Sequence, residues 1–498
     1  MNKKFIFTIT AIFSSAFACF FAGCSLFNNE GTSAVLEITS LNELKSVTGG
    51  KVILKNDLDC DYETLKSINC SEFDGNGFTI KNCFINEDDY YGSASFFTRG
   101  IKSVKNVTFE NVEIKSTGGI SAAVVVSGDC EKINNVRVNN CKITCTQPTT
   151  GNNLTKSARK CYVGGIYGGY SPSYKNGTPT EYFGCNITGC AAENISIELN
   201  GCTNDAATAA EMYAGGIAGG CNDISNCFIA DSKIIAQSTG IFNYPFIGGI
   251  VANSHGTVEK CYSKNNDFYA KATHYSASGS GYTSSKAYMG GIAAYVKSSG
   301  KLRYSFTQDT HLSVNCSGSI YIGGVAGYVD GAAVNQCYSN NNYILMQGYS
   351  EKANVTWAAV KPQRRAGGLL GASLNNSVTS CFAYNEDTIA EHNVSILNRA
   401  EDSKASGLIA SFNSINVSFC AAYSKNLISS ITDAFIPVKT SISNCYIDGD
   451  RFGNLNNCTP VSHNFWTDSD EIKTKLNLAG ANWKFEENKI PNLDFTKK

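Results

Sequence analysis

Short runs of alternating aliphatic and polar residues, bounded by Asn or Gly, recur along most of this 498-residue chain. In residues 96–114 (FFTRGIKSVKNVTFENVEI), Val104, Val107, Phe109, Val112 and Ile114 would face inward, with Asn106 and Asn111 at bends. The phrasing returns at 133–143 (INNVRVNNCKI) and 194–199 (NISIEL). A period of two sustained for so few residues predicts short strands turning corners. No helical period of useful length lies between them, which argues against a fold alternating strands and helices.

A longer unit organises the middle of the chain. Residues 322–338 (IGGVAGYVDGAAVNQCY) give a Gly-Gly-aliphatic start, a polar turn, then an aliphatic residue and a Cys-aromatic pair. The unit recurs at 215–228, 248–262 and 367–382. Weaker copies lie at 290–304, with Tyr304 near the Cys slot, and at 406–420, where Ser406 replaces the first Gly, and 164–169 opens an irregular copy. First Gly-slot residue and Cys are 12, 13, 14, 14 and 14 positions apart for the copies at 215, 248, 323, 367 and 406. The interval from Cys to the next copy is longer and variable. Insertions thus collect just before Gly-Gly, and in a stack of equivalent rungs they emerge on one edge. They include 270–286 and 348–365; insertions at 146–160 and 171–181 are less clearly in phase.

Such repetition predicts an all-β chain, a right-handed parallel β-helix extending one core by stacking. Aliphatic residues, Cys and aromatics would stack inside, Asn and Gly would sit at bends, and Gly-Gly would allow dihedrals a side chain forbids. The alternative is a kelch-like β-propeller, whose blades also carry a Gly doublet. Here the doublet starts the aliphatic run, the copies are unevenly spaced and the chain has three Trp, all of which favour the β-helix. Residues 35–462 form the repeat domain, with 35–50 as its N-terminal cap: Ser40 and Glu43 have capping-box spacing, ahead of Leu41, Leu44 and Val47 on one helical face. Asp74-Gly75-Asn76-Gly77 lacks the regular carboxylates of a calcium loop and reads as a tight turn. Residues 463–498 read as a C-terminal cap: a short helix at 472–478 behind Asp468, Asp470 and Glu471, then closing strands.

Residues 1–23 read as an export signal, with Lys3 and Lys4 ahead of an apolar run that ends in Phe21-Ala22-Gly23-Cys24. Small residues before a Cys resemble the lipobox of bacterial lipoproteins. That resemblance implies acylation of Cys24, a lipid anchor in a bacterial membrane, and a polar tether over 24–34. Several acyl chains would give stable anchoring. The expected location is the cell envelope, exposed at the surface.

Composition adds exclusions. Charged residues make up 17% and net charge is −1, so nothing favours nucleic acid. Of 21 cysteines, many recur at one repeat phase (Cys227, Cys261, Cys337, Cys381, Cys420), while Cys83 and Cys445 follow a similar phrase. Most read as small buried stacking residues, with a few disulfides. No CxxC pair occurs and the five histidines are scattered, so neither metal nor other cofactor is expected.

Gly215-Gly216-Ile217-Ala218-Gly219 and Gly323-Gly324-Val325-Ala326-Gly327, each followed by an aliphatic-x-x-Cys-aromatic segment, resemble the GLUG-type repeats of bacterial surface proteins. The opening phrase at 73–80 and the closing one from Asn464-Phe465-Trp466 to Pro491-Asn492-Leu493 are similar to those that bound such repeats. The resemblance implies extracellular display with a role in adhesion or binding, and it transfers no catalytic residues.

The function expected is therefore a non-catalytic surface rod that binds a glycan or protein ligand. Trp357, Lys361, Arg364 and Arg365 form its candidate binding loop, an aromatic-cation mixture of the kind found at hot spots. The alternative is a polysaccharide lyase or glycoside hydrolase on the same scaffold. That chemistry needs carboxylates paired across a groove. The acidic clusters at Asp57, Asp59 and Asp61, at Glu87, Asp88 and Asp89, and at Asp448 and Asp450 lie at bends or ends, and no carboxylate recurs at one repeat phase.

Overall fold

The structure is a computed structural model. It describes residues 35–494 except 89–91, 98–99, 148–159, 170–171, 176–177, 182–183, 202–209, 239–242, 273–274, 279–280, 298–299, 349–362, 393–401, 429–430, 433–440, 449–457, 479–482 and 488. It is a right-handed parallel β-helix. A complete rung has five short faces, which one rung illustrates. Face one is Lys286–Gly290, face two Ala293–Val296, face three Lys301–Arg303, face four Phe306–Gln308 and face five His311–Cys316. Each of these strands pairs in parallel with its equivalents above and below; Ala287, for example, pairs with Ile320, and Leu312 with Ile344. Propeller blades need antiparallel pairs, so the kelch-like alternative is excluded.

The bends flanking face four have a chemical cause. Asn106, Asn111, Asn135, Asn140, Asn194, Asn226, Asn265 and Asn341 hold φ between 51° and 54° there. Asn tolerates the left-handed region because its short amide bonds locally. In later rungs Lys260, Tyr304, Gln336, Ser380 and Phe419 occupy the bend between faces three and four, also left-handed. The following residue points into the core. The five inward residues expected between 104 and 114 are each at most 2% exposed.

The Gly-Gly corner between faces one and two works differently from expectation. None of its doublets from 215 to 368 has a positive φ. A Cβ on the first glycine would meet the carbonyl oxygen three residues on, at 1.8 Å for Gly215 and 1.9 Å for Gly248. A Cβ on the second would meet the next rung's glycine carbonyl and the inner side of face four: Gly324 would lie 2.2 Å from Gly368 O and 2.0 Å from Ser339 Oγ. The corner is pushed across the core until it touches the opposite wall. Glycine is required by close approach, and faces one and two fold back on each other outside that corner.

The cysteines at fixed phase stack in the column after the face-three bend, as expected, but they are polar members of it. Cys227 Sγ donates to the Ser225 carbonyl at 3.2 Å and accepts the backbone N–H of Cys190 at 3.4 Å. In the rung of 290–304 the slot belongs to Ser305, one residue beyond Tyr304. One disulfide, Cys60–Cys83, ties the first rungs.

Segments 148–159, 202–209, 349–362 and 393–401 each leave between face five and face one, the single edge expected. The insertion at 171–181 does not join them. Its hairpin, Pro172–Lys175 against Thr178–Glu181, follows the Gly-Gly corner and precedes the face-three strand Asn186–Thr188.

At the N-terminal end the capping box at Ser40 and Glu43 is present, the helix is Leu41–Lys45, and Leu44 is fully buried in the main core. At the C-terminal end the 3-10 turn His463–Thr467, the helix Ser469–Lys475 and the hairpin of Trp483–Lys484 with Asn492–Leu493 lie along the outside of face four. The helix begins three residues before the predicted start because Asp468 Oδ1 accepts the Glu471 N–H at 2.9 Å and so serves as its N-cap.

Candidate functional site

Cys24, Trp357 and Lys361 lie outside the described residues. Arg364 and Arg365 lie in the face-one strand Gln363–Gly367, 2% and 5% exposed. The exposed loop expected to carry them ends before they begin. Arg364 occupies the inward column of Met212, Ala287 and Ile320. Its Nε and Nη2 each sit 3.4 Å from a backbone carbonyl, of Gly318 and Ser317 respectively, which answers its charge without a ligand. Arg365 continues the outward column, and its Nη1 donates to the Arg364 carbonyl at 3.0 Å.

That outward column was missed from the sequence although it is visible there. Tyr162, Tyr213, Phe246, Tyr288 and Tyr321 each stand two residues before a Gly-Gly. Their rings stack at 4.4, 4.5, 4.6 and 5.3 Å. Tyr295 and Tyr328 of face two stack at 5.2 Å and meet Tyr288 edge-on. The aromatics fill the wedge between faces one and two, so their ring faces are satisfied by one another. Burial pushes Tyr295 and Tyr328 up to about 12, so both hydroxyls stay protonated near neutral pH.

A second aromatic ladder runs along the outside of face four: Phe228, Tyr262, Phe306, Tyr338 and Phe382, stacked at 4.7–5.3 Å. The C-terminal segment covers its last rungs. Trp483 packs 5.8 Å from Tyr338 and 6.1 Å from Phe382, and its Nε1 donates to Gln336 Oε1 at 2.8 Å. Tyr338 donates its hydroxyl proton to Asn492 Oδ1.

Where the hairpin stands off from the ladder it leaves a groove of about 560 Å³. Gln308 and Asn340, neighbours in successive rungs, form its floor beside the buried Tyr338. Asn492 and Pro491 form one wall, Lys484, Glu486 and Lys489 the rim. Lys484 and Lys489 hold Glu486 at 2.6 and 2.5 Å, and their hydrogen bonds bring its carboxyl down to about 2. Among the described residues Glu486 is the one carboxylate lining the groove, and at neutral pH it stays ionised and paired. The groove thus offers amides that can both donate and accept, beside a rim where two lysines face one carboxylate and leave a net charge of +1.

The first acidic cluster serves a bend, while Asp89 and Asp450 of the other two lie outside the described residues. Asp57 Oδ1 accepts the Thr79 N–H at 2.8 Å, and Asp59 accepts from the Asp61 N–H and Asn82, which lowers its pKa. In the turn at 74–77, Asp74 accepts from the Asn76 N–H at 2.9 Å and pairs with Lys105 at 3.1 Å. Among the described residues no three His, Cys, Asp or Glu are placed to hold a metal ion.

The chain matches no protein-family model and no curated protein. Among solved structures it is similar to the A-module of the Azotobacter vinelandii mannuronan C-5 epimerase AlgE4, at 9% identity and a TM-score of 0.31, covering 84% of this chain and 95% of that one. It is also similar to a tailspike protein of E. coli bacteriophage HK620 in complex with pentasaccharide, at 8% identity and a TM-score of 0.28, covering 89% and 72%. Tailspike protein 3 of bacteriophage CBA120 follows at 9% and 0.24, covering 81% and 58%.

Proposed function

We propose that this protein is a non-catalytic binding rod of the bacterial cell envelope, held through an acylated Cys24, and that its ligand is an oligosaccharide. The groove between the C-terminal hairpin and face four supports the ligand class. Its volume lies in the range of small-molecule sites, and its lining is mostly polar side chains converging on one space. Planar amides such as Gln308, Asn340 and Asn492 match the paired donor and acceptor of adjacent sugar hydroxyls. Binding rather than turnover is supported by the lining. Glycoside hydrolysis needs one carboxyl protonated near neutral pH and a second across the bond, and Glu486 is held ionised with no carboxylate opposite among the described residues.

The test is a glycan array read with the purified full chain, followed by titration of the best ligand against Gln308→Ala/Asn340→Ala. The double variant should bind at least about tenfold more weakly, equivalent to about 1.4 kcal/mol, with its melting temperature unchanged. Equal affinity would remove the groove from the reading. New reducing ends on prolonged incubation would replace binding by catalysis. Loss of the chain from the membrane fraction in Cys24→Ser tests the anchor separately.

A further inference from the structure

One pair of cysteines stands outside the stacked columns. Cys145 ends the inward positions of the face-five strand Lys142–Thr146, and Cys161 takes the first inward position of the face-one strand Lys160–Gly164. Cys145 closes one rung and Cys161 opens the next, and they face each other across the corner from which residues 148–159 depart. Their Sγ atoms are 3.5 Å apart and both side chains are buried, at 0% and 1% exposure. The rung after this one fills the same two positions with Leu199 and Met212, in register with Cys145 and Cys161. Apolar side chains close the corner in that rung and the preceding rung has Ser116 in register with Cys145, so neither repeats the thiol found here on both sides.

We propose that Cys145 and Cys161 become a disulfide when the chain folds in an oxidising compartment. The oxidant is a disulfide-bearing oxidoreductase or oxidised glutathione. One cysteine thiolate attacks its S–S bond, giving a mixed disulfide and releasing one thiol. The second cysteine, as thiolate, displaces the remaining oxidant sulfur. The protein gains one S–S bond and loses two protons and two electrons, and the oxidant leaves as two thiols. Closing 3.5 Å to a bond of about 2.05 Å is a shift of roughly 1.5 Å, within reach of a side-chain torsion. The bond would close the base of the insertion and fix where it leaves the rod.

Timing follows from burial. Both side chains are closed off from an external oxidant in the folded chain, and the hydrogen bond to Cys145 and the loss of solvent both push the Cys161 thiol well above its ordinary value. Oxidation must precede closure of the corner. A chain folded under reducing conditions should then resist oxidant until it is unfolded.

The experiment uses the full chain, folded from denaturant in a glutathione redox buffer, quenched with an alkylating agent in denaturant and digested without reduction. Lys156, Arg159 and Lys160 separate the two cysteines, so trypsin places them on different peptides. The expected result is one cross-linked species about 2 Da lighter than its two peptides together, lost on reduction and absent in Cys145→Ser. Recovery of both cysteines as alkylated peptides would overturn the proposal. A proteolytic cut within 148–159 gives a second readout. The halves should remain joined on a non-reducing denaturing gel in the parent and separate in Cys145→Ser. Halves that separate in the oxidised parent would also overturn it.

Discussion

Ser305 Oγ accepts the backbone N–H of Cys261 at 3.2 Å and donates to the Arg303 carbonyl at 3.0 Å. Cys381 Sγ makes the same two bonds in its own rung, to the Cys337 N–H at 3.4 Å and the Thr379 carbonyl at 3.1 Å. The slot after the face-three bend calls for a small side chain that accepts from the rung below and donates to its own bend. Cys381→Ser should therefore change stability by less than about 1 kcal/mol. Cys381→Ala leaves the Cys337 N–H buried without its acceptor and should cost about 1–3 kcal/mol. Urea unfolding of the two variants separates these outcomes, and equal losses would mean the slot is valued only for its volume.

Close approach at the Gly-Gly corner gives a sharper contrast. A methyl at Gly324 has the Gly368 carbonyl and Ser339 Oγ in its way, and the carbonyl belongs to the stacked backbone and cannot swing aside. Gly324→Ala should destabilise the rod by about 1–3 kcal/mol or more, as overpacking does. Gly49→Ala, with nothing within 4 Å of the added atom, should stay within about 0.5 kcal/mol. The two melting temperatures, measured side by side, check this.

These two features show what was legible in the sequence. Fixed spacing from Gly-Gly to Cys exposed the rung, and the period-two runs exposed its inward positions. The insertion edge followed from where the spacing varied. Local pattern could not report the cross-section: that Gly216 would collide with Ile229 across the core is a fact of faces brought together by coiling. Arg364 misled for the same reason. It reads as a loop cation beside Trp357, yet counting back three residues from Gly367 puts it in the inward column of Ile320. The groove was beyond reach, because Trp483 meets Gln336 across 147 residues and Trp483 carries no repeat signal.

His255 gives the rod a pH response at the corner between faces two and three. Its Nε2 is 2.7 Å from Lys297 Nζ, with Lys160 also near, and burial first and Lys297 second bring its pKa from 6.5 to about 4. The unfolded chain takes up this proton near pH 6.5, and the folded chain resists until about pH 4. Folding is thus favoured by the neutral ring, and this contribution declines as pH falls from 6.5 towards 4. The melting temperature should drop between pH 7 and 5, above the range where most carboxylates titrate, and His255→Gln should reduce that drop. An identical pH profile in the variant would assign the drop to other groups.

Trp483 decides whether the C-terminal segment is part of the rod or a cover laid on it. Its ring is 6% exposed against Tyr338 and Phe382, and its Nε1 bond to Gln336 anchors the segment alongside the bond from Tyr338 to Asn492. Trp483→Ala removes both, a loss of about 3–5 kcal/mol for a buried ring. The rungs beneath keep their own parallel pairs, which in a solenoid depend on nearest neighbours. Hydrogen exchange should therefore speed up across the helix Ser469–Lys475 and the hairpin while Lys286–Gly290 and Tyr343–Gly348 keep their protection. Saccharide binding should vanish with the hairpin, since Asn492 and Lys484 supply one side of the groove. Trp483→Phe, which keeps an aromatic ring and loses only the Nε1 bond, should retain most of the protection. Loss of exchange protection along the whole rod in Trp483→Ala would make the segment a structural element of the solenoid itself.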